Sequence, residues 1–274
     1  MAKTPQAQPS PRRSPALAAL WGVPIGLGGA EFRLPVLVGA FGYATRRAVA
    51  LNLAISLVTV VSALLIRGGT LSPTPLAALL PVVGAMTCGA VSSAYLGTSL
   101  VHRISERLLE RVILVFLVVI GSALVAEAFL PRDVPGLLPD SLALRLVAAA
   151  LFGLAVGLVS SLLGVAGGEL IIPTLVFAFG AGIKAAGTAS LLVSLPTVAV
   201  GVLRHRQLGA FEERGDITGT VAPMGAGSVV GGFLVGPVPA AALKLLLGVI
   251  LIVSAARIFR SRQRSPRARK TTPG

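Results

Sequence analysis

Charge is scarce in this sequence. Asp, Glu, Lys and Arg make up 12% of the 274 residues, whereas about a quarter is usual for soluble globular chains. So little charge cannot cover a water-facing surface, which excludes a soluble enzyme or a soluble binding module. Apolar residues reach 54%, and the mean hydropathy is +0.88. The composition therefore predicts a polytopic membrane protein without a soluble domain of its own.

Side chains that carry chemistry are equally few. The single cysteine, Cys88, lies in an apolar run and cannot form an intramolecular disulfide. The two histidines, His102 and His205, lie in basic gaps without a cysteine or carboxylate cluster around them, which argues against a metal site. Neither a nucleophile–base pairing nor a cofactor fingerprint nor an ATP-binding loop occurs in the sequence. We therefore expect no enzyme, no cofactor and no ATP-driven process.

Acidic residues are the rarer kind of charge, with 10 against 24 Lys and Arg and a net charge of +14. In a soluble protein this excess would suggest a nucleic-acid partner. Here the basic residues lie in the two terminal tails and in short gaps between apolar runs, as membrane-topology determinants do. We therefore expect the lipid bilayer, and no nucleic acid, as a partner. The Pro-, Ser- and Arg-rich tails, 1–15 and 261–274, are predicted to be disordered.

Long apolar runs are what the sequence has in abundance. Seven are long enough to span a bilayer and three are short. A short run predicts a half-helix, completed by extended backbone that other parts of the protein must shield from lipid. The long runs are 47–66, 75–101, 112–130, 142–165, 185–203, 216–236 and 240–258, and the short ones are 17–30, 34–43 and 169–180.

An internal repeat organises these runs. A shift of 138 residues aligns 29–56 with 167–194 without a gap and gives eleven identities. The matches include a Glu, a Pro and two Gly, which are more informative inside apolar segments than coincidences of Leu or Val. The sequence therefore predicts a duplication into two repeats of about five elements each. We place the repeats at residues 16–138 and 139–260.

The odd number of elements in each repeat predicts their relative orientation. If all five elements cross, the second copy enters the membrane from the opposite side. With the N-terminal tail in the cytoplasm, the cytoplasmic side receives 18 Lys and Arg and the outer side 5, as the positive-inside rule requires. We therefore expect an all-α polytopic fold of two inverted-topology repeats, with broken helices near the membrane midplane and both termini cytoplasmic. Secondary transporters are typically built in this way.

The repeated turn is the candidate substrate site. Paired glycines let the backbone break and approach a ligand closely, and a short helix that starts after them directs its free N–H groups at the break. Two such helix starts facing each other would bind an anion. The candidate residues are Gly28, Gly29, Glu31 and Arg33 in the first copy and Gly167, Gly168 and Glu169 in the second.

The charged residues of this turn allow two interpretations each. A charge at mid-membrane costs at least about 2.5–3.5 kcal/mol, so each one needs a structural or functional reason. Glu31 and Glu169 either cap their own half-helices or titrate and couple proton movement to transport. Arg33 has no counterpart in the second copy. It either pairs with Glu31 or attracts an anionic substrate.

Polar residues that follow each break are candidates for lining a pathway. Asn52 and Ser190 occupy equivalent repeat positions, and Thr188 lies two residues before Ser190. Ser56 and Ser194 form a second equivalent pair. The alternative is that these hydroxyl groups bond to backbone or to neighbouring helices, as is common in membrane proteins.

The two copies of the turn resemble a known family. The stretch SSLLGVAGGELIIPTLVFAFG at 160–180 and its first copy GLGGAEFRLPVLVGAFG at 26–42 are similar to sequences of the sulfite exporter (TauE/SafE-type) permease family. The resemblance implies transport across the plasma membrane of a small anion such as sulfite, an organosulfonate or another sulfur-containing compound. Many members lack an acid at the position of Glu169, which indicates a subgroup with a substrate of its own.

The predicted function is therefore gradient-driven export of a small anion by alternating access, with protons as the candidate coupling ion. Two alternatives remain open. One is a proton or cation pathway centred on Glu31 and Glu169. The other is a non-transporting membrane protein that serves in docking or assembly.

Overall fold

Helices account for almost all of the regular structure. The computed structural model describes residues 30–39, 41–68, 74–128, 136–211 and 217–234, and no strand occurs in these ranges. Both predicted tails, Gly28, Gly29 and the last predicted span, 240–258, lie outside them. The helices are α1 (Ala30–Gly39), α2 (Thr45–Gly68), α3 (Thr74–Ala77), α4 (Leu80–Arg103), α5 (Glu106–Ala128), α6 (Leu142–Leu163), α7 (Gly168–Pro173, continued by a π-helix, Thr174–Ala178), α8 (Ile183–Gln207) and α9 (Ala222–Leu234, preceded by a π-helix, Ile217–Val221).

Four of the described helices, α2, α4, α6 and α8, are long and apolar enough to cross a membrane. Each has 22 residues or more, and a helix that rises about 1.5 Å per residue needs roughly 20 residues for a 30 Å hydrocarbon layer. Within a helix the backbone N–H and C=O groups bond to each other, so they need no partner from lipid, which offers none. The prediction of an all-α polytopic membrane protein is thereby confirmed.

Helix boundaries recur at the spacing of the sequence repeat. Thr45 and Ile183, which begin α2 and α8, are 138 residues apart. The same shift aligned the two sequence copies. The helix starts therefore follow the predicted duplication, whereas the inverted topology of the two copies stays a prediction.

The most extensive contact between two helices in the described part is that of α4 with α6. A Cβ on Gly89 of α4 would collide with the carbonyl oxygen of Ala150 on α6. Likewise, a Cβ on Gly153 or Gly157 of α6 would collide with carbonyl oxygens of α4. Small residues at such positions let membrane helices approach until their backbones touch. Since α4 belongs to the first predicted repeat and α6 to the second, this contact joins the two repeats.

Candidate functional site

The chain breaks after α6 and folds back along it. Gly164 directly follows α6 with φ +70°, and Gly167 directly precedes α7 with φ +77°, a conformation that favours glycine. A Cβ on Gly167 would lie 2.8 Å from Cγ1 of Val156. Val156 precedes the end of α6 by seven residues, or about 10 Å of helix rise. The segment 164–167 therefore returns part-way along α6 before α7 begins.

Carbonyl groups of non-helical backbone in this segment need hydrogen-bond donors, and side chains supply them. Four consecutive carbonyl oxygens, from Leu163 to Ala166, each accept a hydrogen bond from a side chain. The donors are Asn52 to Leu163 (3.1 Å), Ser56 to Gly164 (3.4 Å), Ser160 to Val165, and Ser194 to Ala166 (2.7 Å). Because three helices contribute these donors, the break is shielded by protein, as non-helical backbone in a membrane must be.

A proline shapes the half-helix that follows the break. Pro173 has no N–H to donate to the carbonyl of Glu169, and its ring crowds the preceding turn. The helix continues as a π-helix directly after it, at Thr174–Ala178. Glu169 lies in the first turn of α7 with a half-buried side chain. The predicted half-helix 169–180 is thus 168–178 in the structure.

The far end of α7 is held by the connection that precedes α6. Leu137 and Leu138 donate backbone hydrogen bonds to the carbonyls of residues 177 and 178. Arg145 donates to the carbonyl of Phe179 at 2.9 Å and also contacts Asp140 at 3.1 Å. The half-helix is therefore anchored at this end by backbone pairing and at the other end by the side chains around the break.

Arg33 joins the first repeat to this break. Its side chain is 2% exposed, and its guanidinium donates to Ser56 at 3.1 Å and to Thr59 at 3.5 Å. Ser56 in turn donates to the carbonyl of Gly164. The hydroxyl of Ser56 thus links the buried guanidinium of Arg33 on α1 to the break in the second repeat.

The structure does not bring all the predicted site residues to the break. Asn52 reaches it directly through Leu163. Thr188 and Ser190 instead bond to carbonyls of their own helix, at 3.3 Å and 2.8 Å, which is the alternative that the sequence left open. Gly167, Gly168 and Glu169 form the start of α7, and Glu31 lies in α1.

Three serines that bond to the break were not among the site residues predicted from the sequence. Ser56 and Ser194 were candidates for lining a pathway but not for the site itself, although each holds a carbonyl of the break. Their equivalent positions in the two repeats were the signal that could have identified them. Ser160 carries no such signal, because its role depends on the chain folding back to place the carbonyl of Val165 beside it.

Comparison with models of protein families identifies the family of the chain. The model of the family described as sulfite exporter TauE/SafE matches residues 2–124 and 149–274. The chain belongs to the sulfite exporter TauE/SafE family. Comparisons with curated proteins and with solved structures give no match. Membership makes the chain a multi-pass membrane permease of the sulfite and anion exporter type, in a family of transporters rather than enzymes.

Proposed function

We propose that this TauE/SafE chain is a gradient-driven exporter of a small oxyanion such as sulfite or an organosulfonate, and that Arg33 and the break at 164–167 form its binding site. The buried guanidinium of Arg33 carries the proposal. A guanidinium presents paired donors that match the oxygen atoms of an oxyanion, and it stays charged even when buried. Two of the groups that accept hydrogen bonds from Arg33 are the hydroxyls of Ser56 and Thr59, and the oxygen atoms of an anion can replace them.

Alternating access fits the way in which the two repeats meet. In transporters of this kind, broken helices of two inverted repeats surround a central site, and one repeat rocks against the other. Ser56 lies on the first repeat and Ser194 on the second, yet both donate to carbonyls of the same break, at Gly164 and Ala166. A substrate bound beside Arg33 would therefore contact elements of both repeats, and this is what couples binding to their relative movement.

Protons are the proposed coupling ion, with Glu169 and Glu31 as their carriers. Glu169 is half-buried in the first turn of α7, next to the break. The charged carboxylate of Glu169 stabilises the N-terminus of the helix, which is the positive end of its dipole. The same charge would repel an anion bound at the break. Protonation removes that opposition, so a proton and an anion can occupy the site together.

Basic residues of three segments lie together at one end of the helices. Their position supports an orientation in the plasma membrane with both termini in the cytoplasm. Arg46 at the start of α2 donates to the carbonyl of Ile104 after α4. Arg204 near the end of α8 donates to Ser99 of α4 at 3.1 Å. Three basic segments that the positive-inside rule assigns to the cytoplasm thus lie at one end of the helices.

Sulfite efflux from proteoliposomes tests the proposal. Wild type is compared with Arg33→Gln and Arg33→Lys at a series of internal sulfite concentrations. Each hydrogen bond to a charged group is worth about 1.5–3 kcal/mol, so we expect Arg33→Gln to raise KM by at least roughly tenfold. Arg33→Lys keeps the charge and loses the paired geometry, and we expect an intermediate KM.

Lys184→Gln is the matched control, because Lys184 is exposed at the start of α8 and its loss should leave KM unchanged. A KM that is the same in Arg33→Gln and in wild type would remove Arg33 from the site. Glu169→Gln is expected to retain sulfite binding and to lose the dependence of efflux on a pH gradient. Cation flux that needs Glu169, without any sulfite flux in wild type, would instead favour the cation pathway.

A further inference from the structure

Two arginines, at the start of α2 and near the end of α8, donate hydrogen bonds to neutral groups. Nε of Arg204 donates to Oγ of Ser99 at 3.1 Å, and its Nη1 donates to Oε1 of Gln207 at 3.1 Å. Arg46 donates to the carbonyl oxygen of Ile104. Within the described ranges, neither guanidinium forms an ion pair with a carboxylate. Both positive charges are therefore without a counterion in this part of the chain.

Both guanidinium groups have donors left over. Nη2 of Arg204 and Nη1 of Arg46 donate no hydrogen bond to a described residue, and neither atom is fully buried. The two cations lie in one region, because both are within electrostatic range of the ring of His102. Nε2 of that ring lies 3.2 Å from Nδ1 of His205, so α4 and α8 meet at this end. The region can therefore offer further N–H donors to an anion.

The charge of Arg204 lies at the level of the membrane interface. Its guanidinium is bonded to Ser99 and lies 4.5 Å from the centre of the Tyr95 ring. With 24 residues, α4 is about 36 Å long, roughly 6 Å more than the hydrocarbon layer. Ser99 precedes the end of α4 by four residues, or about 6 Å, so in a centred helix it lies near the boundary between headgroups and hydrocarbon. Tyrosine is favoured at this level, and Tyr95 is 44% exposed.

Exposed leucines lie next to these residues. Leu96 directly follows Tyr95 on α4, Leu100 lies one turn further on, and Leu203 directly precedes Arg204 on α8. The exposed fractions of the three leucines are 67%, 44% and 57%. A cation at the interface with apolar side chains beside it matches a phospholipid, which has a phosphate group next to its acyl chains. A soluble anion would gain nothing from the leucines.

We propose that Arg204 and Arg46 bind the phosphate group of an anionic phospholipid, whose acyl chains pack on the three exposed leucines. A guanidinium presents paired donors that match the oxygen atoms of a phosphate. The negative charge of the lipid supplies the counterion that the described part of the chain lacks. A zwitterionic lipid would instead bring a cation of its own next to two guanidinium groups.

The position of the site gives the lipid a structural consequence. Arg204 belongs to the second predicted repeat, whereas Arg46 and the leucines of α4 belong to the first. A lipid bound to both would hold the ends of the two repeats together. The inference requires only that the chain spans a bilayer, so it does not depend on the substrate that the protein transports.

Lipid binding to the purified full chain tests the site. The protein is delipidated in a neutral detergent and titrated with phosphatidylglycerol or with phosphatidylcholine of the same acyl chains, and native mass spectrometry counts the bound lipids. We expect wild type to bind phosphatidylglycerol more tightly than phosphatidylcholine. Arg204→Gln and Arg46→Gln should each weaken the binding of phosphatidylglycerol by roughly fivefold, since one basic residue near an anionic lipid surface contributes about 1 kcal/mol.

Arg206→Gln is the matched control. Arg206 is exposed and lies two residues after Arg204, so its variant has the same net charge and should bind phosphatidylglycerol as wild type does. Leu203→Ser keeps both cations and should also weaken binding, because it removes a contact with the acyl chains. Since Leu203 is exposed, this variant tests the site even if Arg204→Gln prevents folding.

Two results would overturn the lipid site. Equal weakening by Arg206→Gln and Arg204→Gln would mean that the lipid responds only to the net charge at this end of the helices. Equal affinity of wild type for the two lipids would show that the guanidinium groups do not select an anionic headgroup. Inorganic phosphate and sulfite should not displace phosphatidylglycerol, and displacement by either would reject the lipid in favour of a soluble anion.

Discussion

Removing the hydroxyl of Ser56 should destabilise the protein more than the equivalent change at Ser194. Ser56→Ala removes an acceptor of Arg33, at 3.1 Å, and a donor to the carbonyl of Gly164, at 3.4 Å. Ser194→Ala removes one neutral bond, at 2.7 Å. Because the two serines occupy equivalent positions in the repeat, each serves as the control for the other.

The contact with Arg33 decides the expected order. A hydrogen bond to a charged group contributes about 1.5–3 kcal/mol, a neutral one about 1 kcal/mol, and a long neutral bond less than that. Hydrogen bonds between membrane helices average about 0.6 kcal/mol. The losses expected for the two serine variants are therefore smaller than the values for soluble proteins suggest. We expect losses of roughly 2–3 kcal/mol for Ser56→Ala and roughly 1 kcal/mol for Ser194→Ala.

Reversible unfolding in mixed micelles, with increasing fractions of a denaturing detergent, measures both losses. Ser56→Thr and Ser194→Thr keep a hydroxyl and should restore most of the lost free energy of unfolding. A loss for Ser194→Ala that equals or exceeds the loss for Ser56→Ala would refute the reasoning. It would mean that the neutral bond to the break is worth at least as much as the contact with the buried cation.

Two further predictions concern packing. Gly153→Ala should lower the free energy of unfolding by about 1–3 kcal/mol, the usual cost of overpacking, because the added Cβ meets the backbone of α4. Gly84→Ala is the control, since a Cβ there meets nothing within 4 Å, and it should change the free energy of unfolding little. Equal losses for the two variants would contradict the close crossing of α4 and α6. Arg145→Gln should speed hydrogen exchange at residues 136–138, because its bond to the carbonyl of Phe179 is lost. Asp140→Asn should not, since an exposed ion pair contributes only about 0–1 kcal/mol.

Local chemistry explains why so much of the fold could be predicted. A run of some 20 apolar residues in lipid has to be a helix, because only a helix satisfies its own backbone there. Gly167 and Pro173 act on the backbone next to them, so the sequence could indicate where α7 begins and why it is a short helix. The repeat was likewise visible, because both copies retain these residues. The break at Gly167 was predictable for the same reason.

What only the tertiary structure decided are the partners of the polar side chains. The sequence contains Arg33, Ser56 and both histidines, but no local rule states that Arg33 meets Ser56 or that His102 meets His205. Such contacts join elements that are 23 and 103 residues apart, and they depend on how closely the intervening helices pack. Along one helix, the 3.6-residue period determines which residues share a face. Between helices, the crossing geometry determines which faces meet, and only the folded chain specifies it.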